Sequence, residues 1–92
     1  MKPSIGRIVH YALRQEDLAQ TNTLRSGGAR VNPHNVGQLV PMIVCVVWPN
    51  EYGPDFDGVN GQVLLDGDCS LWVTSAKEGT EPGTWRWPAR VE

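Results

Sequence analysis

The residues best suited to chemistry in this sequence are two tryptophans set around an arginine, Trp85-Arg86-Trp87, just after a Pro-Gly turn. On an extended strand the two indoles share one face and Arg86 takes the other. Neighbouring indoles can sandwich a planar group, and a guanidinium beside them can grip a phosphate or carboxylate through two parallel hydrogen bonds. The same rings would serve as a plug for a small core, because large aromatic side chains cover much apolar area. The sequence leaves both roles open for Trp85 and Trp87. Trp48 adds a third indole, and Arg7 and Arg30 add further anion donors. His10 and Tyr11 are chain neighbours in an extended stretch, so they face opposite sides and only one of them can reach a given ligand. The candidate ligand-binding set is therefore Arg7, His10, Tyr11, Arg30, Trp48, Trp85, Arg86 and Trp87.

Other chemistries are less well served. Ser70, Ser75 and Cys45 lack a G-x-S-x-G elbow or a recognisable base, and no phosphate-cradling glycine loop opens a helix. A hydrolase would have to use His10 or His34 as its base. A zinc site would require His10, His34, Cys45 and Cys69 to converge from four separate elements, without the usual ligand spacing. The acidic pairs Asp55/Asp57 and Asp66/Asp68 sit in turn-rich stretches and read as solvated carboxylates; DFDGVNG lacks the oxygen spacing and closing Glu of an EF-hand. The segment Ser26-Gly27-Gly28-Ala29-Arg30 is a flexible basic loop whose backbone amides could hold an anion. No catalytic residue, metal or cofactor is expected.

These side chains need a scaffold, and the hydrophobic periodicity supplies one. Residues 5–13, IGRIVHYAL, read as a first strand with Ile5, Val9, Tyr11 and Leu13 on one parity. Residues 14–39 form a long, mobile, polar loop with at most a helical turn over 16–20, and connections of that length are usually functional. Residues 40–48, VPMIVCVVW, are the central buried strand, bounded by Pro41 and Pro49. Residues 59–65 and 69–76 form a hairpin around Asp66-Gly67-Asp68, with Leu71, Val73 and Ser75 on one face and Trp72, Thr74 and Ala76 on the other. The tail TWRWPARV gives a fifth strand. The predicted fold is all-β: a small SH3-like five-stranded barrel with a long loop after the first strand. An open sheet that completes itself across a dimer is the competing arrangement.

Ninety-two residues make one domain, residues 1–92. With 40% hydrophobic and 20% charged residues the chain belongs among folding, globular sequences. A core this small favours help from homo-oligomerisation. A net charge of −2 with eight basic residues argues against a nucleic-acid partner or an anionic membrane surface. Cys45 and Cys69 read as reduced core residues, and neither a membrane-length apolar run nor a secretory leader is present, so the expected location is cytoplasmic.

The opening SIGRIVHY (residues 4–11), the strand end Val47-Trp48-Pro49, LWVTS (residues 71–75) and the closing PGTWRWP (residues 82–88) resemble a family of small proteins of tailed phages and prophages. The resemblance spans the strands and fails in the 14–39 loop. Relatives are expected to carry His between the two tryptophans, so Arg86 is a departure. The resemblance implies a phage setting and, by analogy with other small phage proteins, a non-enzymatic anti-defence role: an oligomer that sequesters a nucleotide-derived immune signal in the host cytoplasm. An adaptor for a host or phage protein is the main alternative. A small hydrolase or a nucleic-acid-binding barrel follows it.

Overall fold

The computed structural model describes residues 2–89. Among the described residues five strands, β1 (Ile8–Ala12), β2 (Leu39–Trp48), β3 (Gly58–Leu64), β4 (Ser70–Lys77) and β5 (Trp85–Arg86), make one antiparallel sheet in the order β4-β3-β2-β1-β5. The sheet curls into a half-barrel. A single helix, α1 (Gln15–Ser26), lies between β1 and β2.

The strands form where the apolar side chains alternate. Val9 and Tyr11 of β1, Val40, Met42 and Val44 of β2, Val59 and Val63 of β3, and Leu71 and Val73 of β4 all point into one core, each at most 5% exposed. The opposite parity forms the outer face, where cross-strand register lines up Ile8, Ile43, Gln62 and Trp72 in a single row. The first strand is shorter than its composition predicts. Gly6 adopts φ +89°, which turns the chain ahead of Ile8 and leaves Ile5 73% exposed instead of packed with Val9 and Tyr11.

Two irregularities bend the sheet. The β2–β3 register shifts between Val44 and Val46, and the β3–β4 register shifts between Val59 and Gly61. Opposite the second shift Ser75 takes a left-handed φ of 52°, and its N–H donates to Asn60 Oδ1 at 2.8 Å. This bulge exchanges the faces of β4: beyond it Ala76 is buried and Ser75 is not, which corrects the strict alternation expected over residues 71–76.

The largest correction concerns residues 14–39, which are far from a featureless loop. Asp17 at the third helical position accepts the Arg14 N–H at 2.8 Å, and the Asp17 N–H donates to the Arg14 carbonyl at 3.1 Å, which starts α1. Gly28, at φ +105°, ends it, with the Ala29 N–H returning to the Leu24 carbonyl at 3.0 Å. Leu18 and Leu24 pack against the core. The chain then crosses to the β3–β4 turn, where Val31 bridges Gly67 and the Asn32 N–H donates to the Asp66 carbonyl at 2.9 Å.

The sheet's two ends meet at one place. β5 pairs with β1 (Tyr11 opposite Trp85, His10 opposite Arg86), while Glu78, just past β4, forms a parallel bridge to Trp85. Trp85 thus joins the first strand to the last long one. Among the described residues no helix is long and apolar enough to cross a membrane.

Candidate ligand-binding pocket

The Trp-rich segment is aimed by the turn before it. Thr84 Oγ1 donates to the Glu81 carbonyl at 2.6 Å, and Gly83, at φ +88°, donates its N–H to the Ala12 carbonyl at 2.7 Å. The Ala12 N–H returns to the Thr84 carbonyl at 3.0 Å, so β5 enters the sheet in one register. That register sends Trp85 inward, where it is 1% exposed, and leaves Trp87 half-buried beside it. The rings meet edge to face, with centroids 5.6 Å apart and planes at 86°. The Arg7 guanidinium lies over Trp87, 5.2 Å from its centroid.

Beside these indoles is a pocket of about 290 Å³ lined by Lys2, Pro3, Asp55, Asp57, Glu78, Trp85 and Trp87. Its acidic side is built by the loop between β2 and β3. Asn50 and Asp55 take left-handed φ values of 56° and 66°, which Asn and Asp tolerate. Asn50 Oδ1 accepts the Asp55 N–H at 3.1 Å, and Asp57 Oδ1 accepts the Asn50 N–H at 2.9 Å. Lys2 Nζ reaches Asp57 Oδ1 at 3.4 Å and Asp55 Oδ1 at 3.7 Å. The solvated carboxylates expected here are therefore half right: Asp55 is exposed, but Asp57 is 8% exposed and fixed by hydrogen bonds. The Asn50 amide, outweighing burial and helped by Lys2, holds the Asp57 carboxyl below the usual carboxylate range.

Both indole Nε1–H donors of this pocket, on Trp85 and Trp87, are buried and have no acceptor among the described residues. Buried donors normally find partners, and these two sit on neighbouring rings of the pocket lining. The pocket accordingly brings three carboxylates and one ammonium beside two aromatic rings whose indole N–H groups are buried.

Of the residues expected from sequence to bind a ligand, the structure brings Trp85, Trp87 and Arg7 together. Tyr11 is fully buried, and its hydroxyl donates to Asp17 Oδ2 at 2.8 Å; it belongs to the core, so its assignment as a ligand contact is corrected. Arg86 turns away, with Nη2 donating to the Thr80 carbonyl at 2.7 Å, and His10 stands opposite it in the β1–β5 ladder. Trp48 donates Nε1–H to Asn60 Oδ1 at 3.1 Å on the outer surface. Arg30 lies against the β3–β4 turn, where its N–H donates to Asp68 Oδ1 at 3.0 Å; the anion-gripping loop expected around it is occupied by that carboxylate. None of these last four lines the pocket. Lys2, Pro3, Asp55, Asp57 and Glu78 were missed by sequence reasoning, because nothing local links the N-terminus, a turn and the end of β4.

His34 Nε2, the lone pair a base would use, accepts the Asp66 N–H at 3.1 Å. Among the described residues no three His, Cys, Asp or Glu side chains cluster to hold a metal ion, and Cys45 and Cys69 are both free thiols. Compared with protein-family models, curated proteins and solved structures, the chain matches none.

Proposed function

We propose that this chain is a non-enzymatic binding domain that sequesters a nucleobase-bearing small molecule in the Trp85/Trp87 pocket. The observation that carries this reading is a pocket lined by Trp85, Trp87, Asp55, Asp57 and Glu78, whose two indole N–H groups are buried and have no acceptor among the described residues. A nucleobase edge sets ring-nitrogen and carbonyl acceptors beside exocyclic amino donors. It supplies acceptors to Trp85 and Trp87 and donors to Asp55, Asp57 and Glu78 in one planar unit. Indole walls favour that planarity through stacking.

Charge refines the ligand. The lining has three carboxylates to one ammonium, so a polyphosphate meets net repulsion there. A base attached to a phosphodiester, with one charge per phosphate directed out toward Lys2 and Arg7, fits better. Cyclic dinucleotides have that chemistry, in keeping with sequestration of a nucleotide-derived immune signal by a phage protein in the host cytoplasm. The strand order β4-β3-β2-β1-β5, with first and last strands paired, supports an SH3-like arrangement in which α1 occupies the long connection after β1.

Calorimetry and thermal melts with cyclic dinucleotides, cyclic ADP-ribose isomers and nucleoside monophosphates test the proposal. Binding by at least one should stabilise the fold by about 2.7 kcal/mol at a hundredfold excess over Kd. Trp87→Ala should weaken that binding by about tenfold or more while leaving the fold intact. Ligand recovered unchanged after denaturation excludes hydrolysis, and no heat or melting shift with any of them ends the reading.

One observation favours an adaptor as a second reading. Trp48, Tyr52 and Phe56 are 46%, 42% and 56% exposed around a single ordered loop, an aromatic surface of the kind protein interfaces use. Recovery of a stoichiometric protein partner, lost on Phe56→Ala, would select it.

A further inference from the structure

The edge of the sheet at β4 presents an observation independent of the pocket. A sheet edge offers a row of unpaired N–H and C=O groups, and monomeric proteins guard such edges with charge, proline or a covering element. Residues 70–74, SLWVT, contain neither charge nor proline. β4 ends the strand order, and its bridge to Trp85 begins only at Glu78. The helix does not seal this edge: between Gln20, Thr23 and Leu24 of α1 and the first residues of β4 lies an open groove of about 300 Å³. Trp72, at the end of the outer-face row, is 49% exposed.

We infer that β4 is the seam of a two-fold homodimer, in which residues 70–74 pair antiparallel with the same residues of a second copy. Such a seam is isologous, so the strand must be compatible with itself. An uncharged run meets that condition, since no like charges are set opposite each other. A dyad at Trp72, the middle of the run, places the two Trp72 rings opposite one another on the outer face and shields both from water. It also brings the first charge beyond the run, Lys77, toward the turn of the second copy that bears Asp66 and Asp68, so the two ends of the seam are complementary in charge. The two half-barrels become one ten-stranded sheet. An edge seam buries less than the roughly 800 Å² per partner of a standard interface, so the dimer dissociates on dilution into about the micromolar range.

Sedimentation over a concentration series tests this directly. The wild-type chain should pass from monomer to dimer as concentration rises. Trp72→Lys sets two lysines opposite each other at the dyad and should weaken the dimer by about 100-fold or more; Thr74→Lys, opposite Ser70 of the second copy, brings an ammonium into the uncharged seam on each side and should weaken it by about tenfold or more. Leu39→Lys, on the outer face but on β2, should leave it unchanged. Circular dichroism establishes that each variant is folded, and Thr74→Lys decides should Trp72→Lys fail to fold. Amide exchange should protect β4 in the wild-type dimer and not in Thr74→Lys. A wild-type monomer at every concentration overturns the inference, as does a dimer that survives Thr74→Lys or is lost with Leu39→Lys.

Discussion

Asp17 is 1% exposed, yet it keeps its charge because four hydrogen bonds converge on its carboxylate, one from Tyr11 and three from Arg14. Burial alone would push its carboxyl up, but the Arg14 guanidinium and amide and the Tyr11 hydroxyl hold it below the ordinary carboxylate range. The arrangement works on Tyr11 in the opposite direction: burial first, then the hydrogen bond to Asp17, raises its hydroxyl above the usual 10.0. A carboxyl lowered by folding adds stability that is complete above its unfolded value, about 3.9, and is lost as pH falls through the folded one. A phenol raised by folding adds stability that is complete below its unfolded value and is lost as pH rises beyond it. Urea titrations across pH should therefore show an acid limb that flattens in Asp17→Asn and an alkaline limb, above about pH 10, that flattens in Tyr11→Phe. At neutral pH Asp17→Asn should cost about 2 kcal/mol, and Tyr11→Phe somewhat less. An unchanged acid limb in Asp17→Asn would mean that other carboxylates dominate it. Tyr11 also shows why one candidate ligand residue was misjudged from sequence: parity says that one of His10 and Tyr11 faces inward, but not which. The answer depends on Asp17, a buried acid that composition never advertises.

The strands were legible because their apolar residues alternate and turn formers bound them, and β2 to β4 fall within a residue or two of the expected limits. The helix was not. Its inward positions, at helical spacing, are Asp17, Leu18, Thr21 and Leu24, so half of the stripe is polar and no periodic apolar signal exists. Its start depends on Asp17 reaching back to the Arg14 amide rather than on a Ser or Thr cap. The β4 bulge was equally hidden, since Ser75 carries no mark of a left-handed residue. Where glycine did announce backbone geometry, it can be tested. Gly83 takes φ +88°, and an added Cβ would lie 2.7 Å from Arg14 Cδ. Gly83→Ala should cost about 1–2 kcal/mol. Thermal melts should show this as a fall of about 4–8 °C in Tm per kcal/mol; no fall would mean that the Pro82-Gly83 turn relaxes freely.

For the molecule as a whole, the Trp85 and Trp87 side chains divide two roles that the sequence left undecided between them. Trp85 is both plug and pocket wall, 1% exposed; Trp87, half-buried, packs only against the margin of the core and lines the pocket beside it. Trp85→Ala should remove about 3–5 kcal/mol, a large share of what a chain of this size can muster. Trp87→Ala should be far milder. Near-UV circular dichroism and urea midpoints separate the two, and equal losses would refute the division. The aromatic half of the pocket was readable because both rings lie within one tripeptide. The acidic half was not, because Asp57, Glu78 and Lys2 meet only once the half-barrel has curled.

The pairing of β1 with β5 also bears on how the chain is made. Tyr11 leaves the ribosome early and Trp85 late, and translation proceeds at about 5–20 residues per second. For several seconds β1 therefore has an open edge and the nascent core has no lid. The β1–β5 pairing can form only after Trp85 has been synthesised, so it is the last pairing of the sheet to become available.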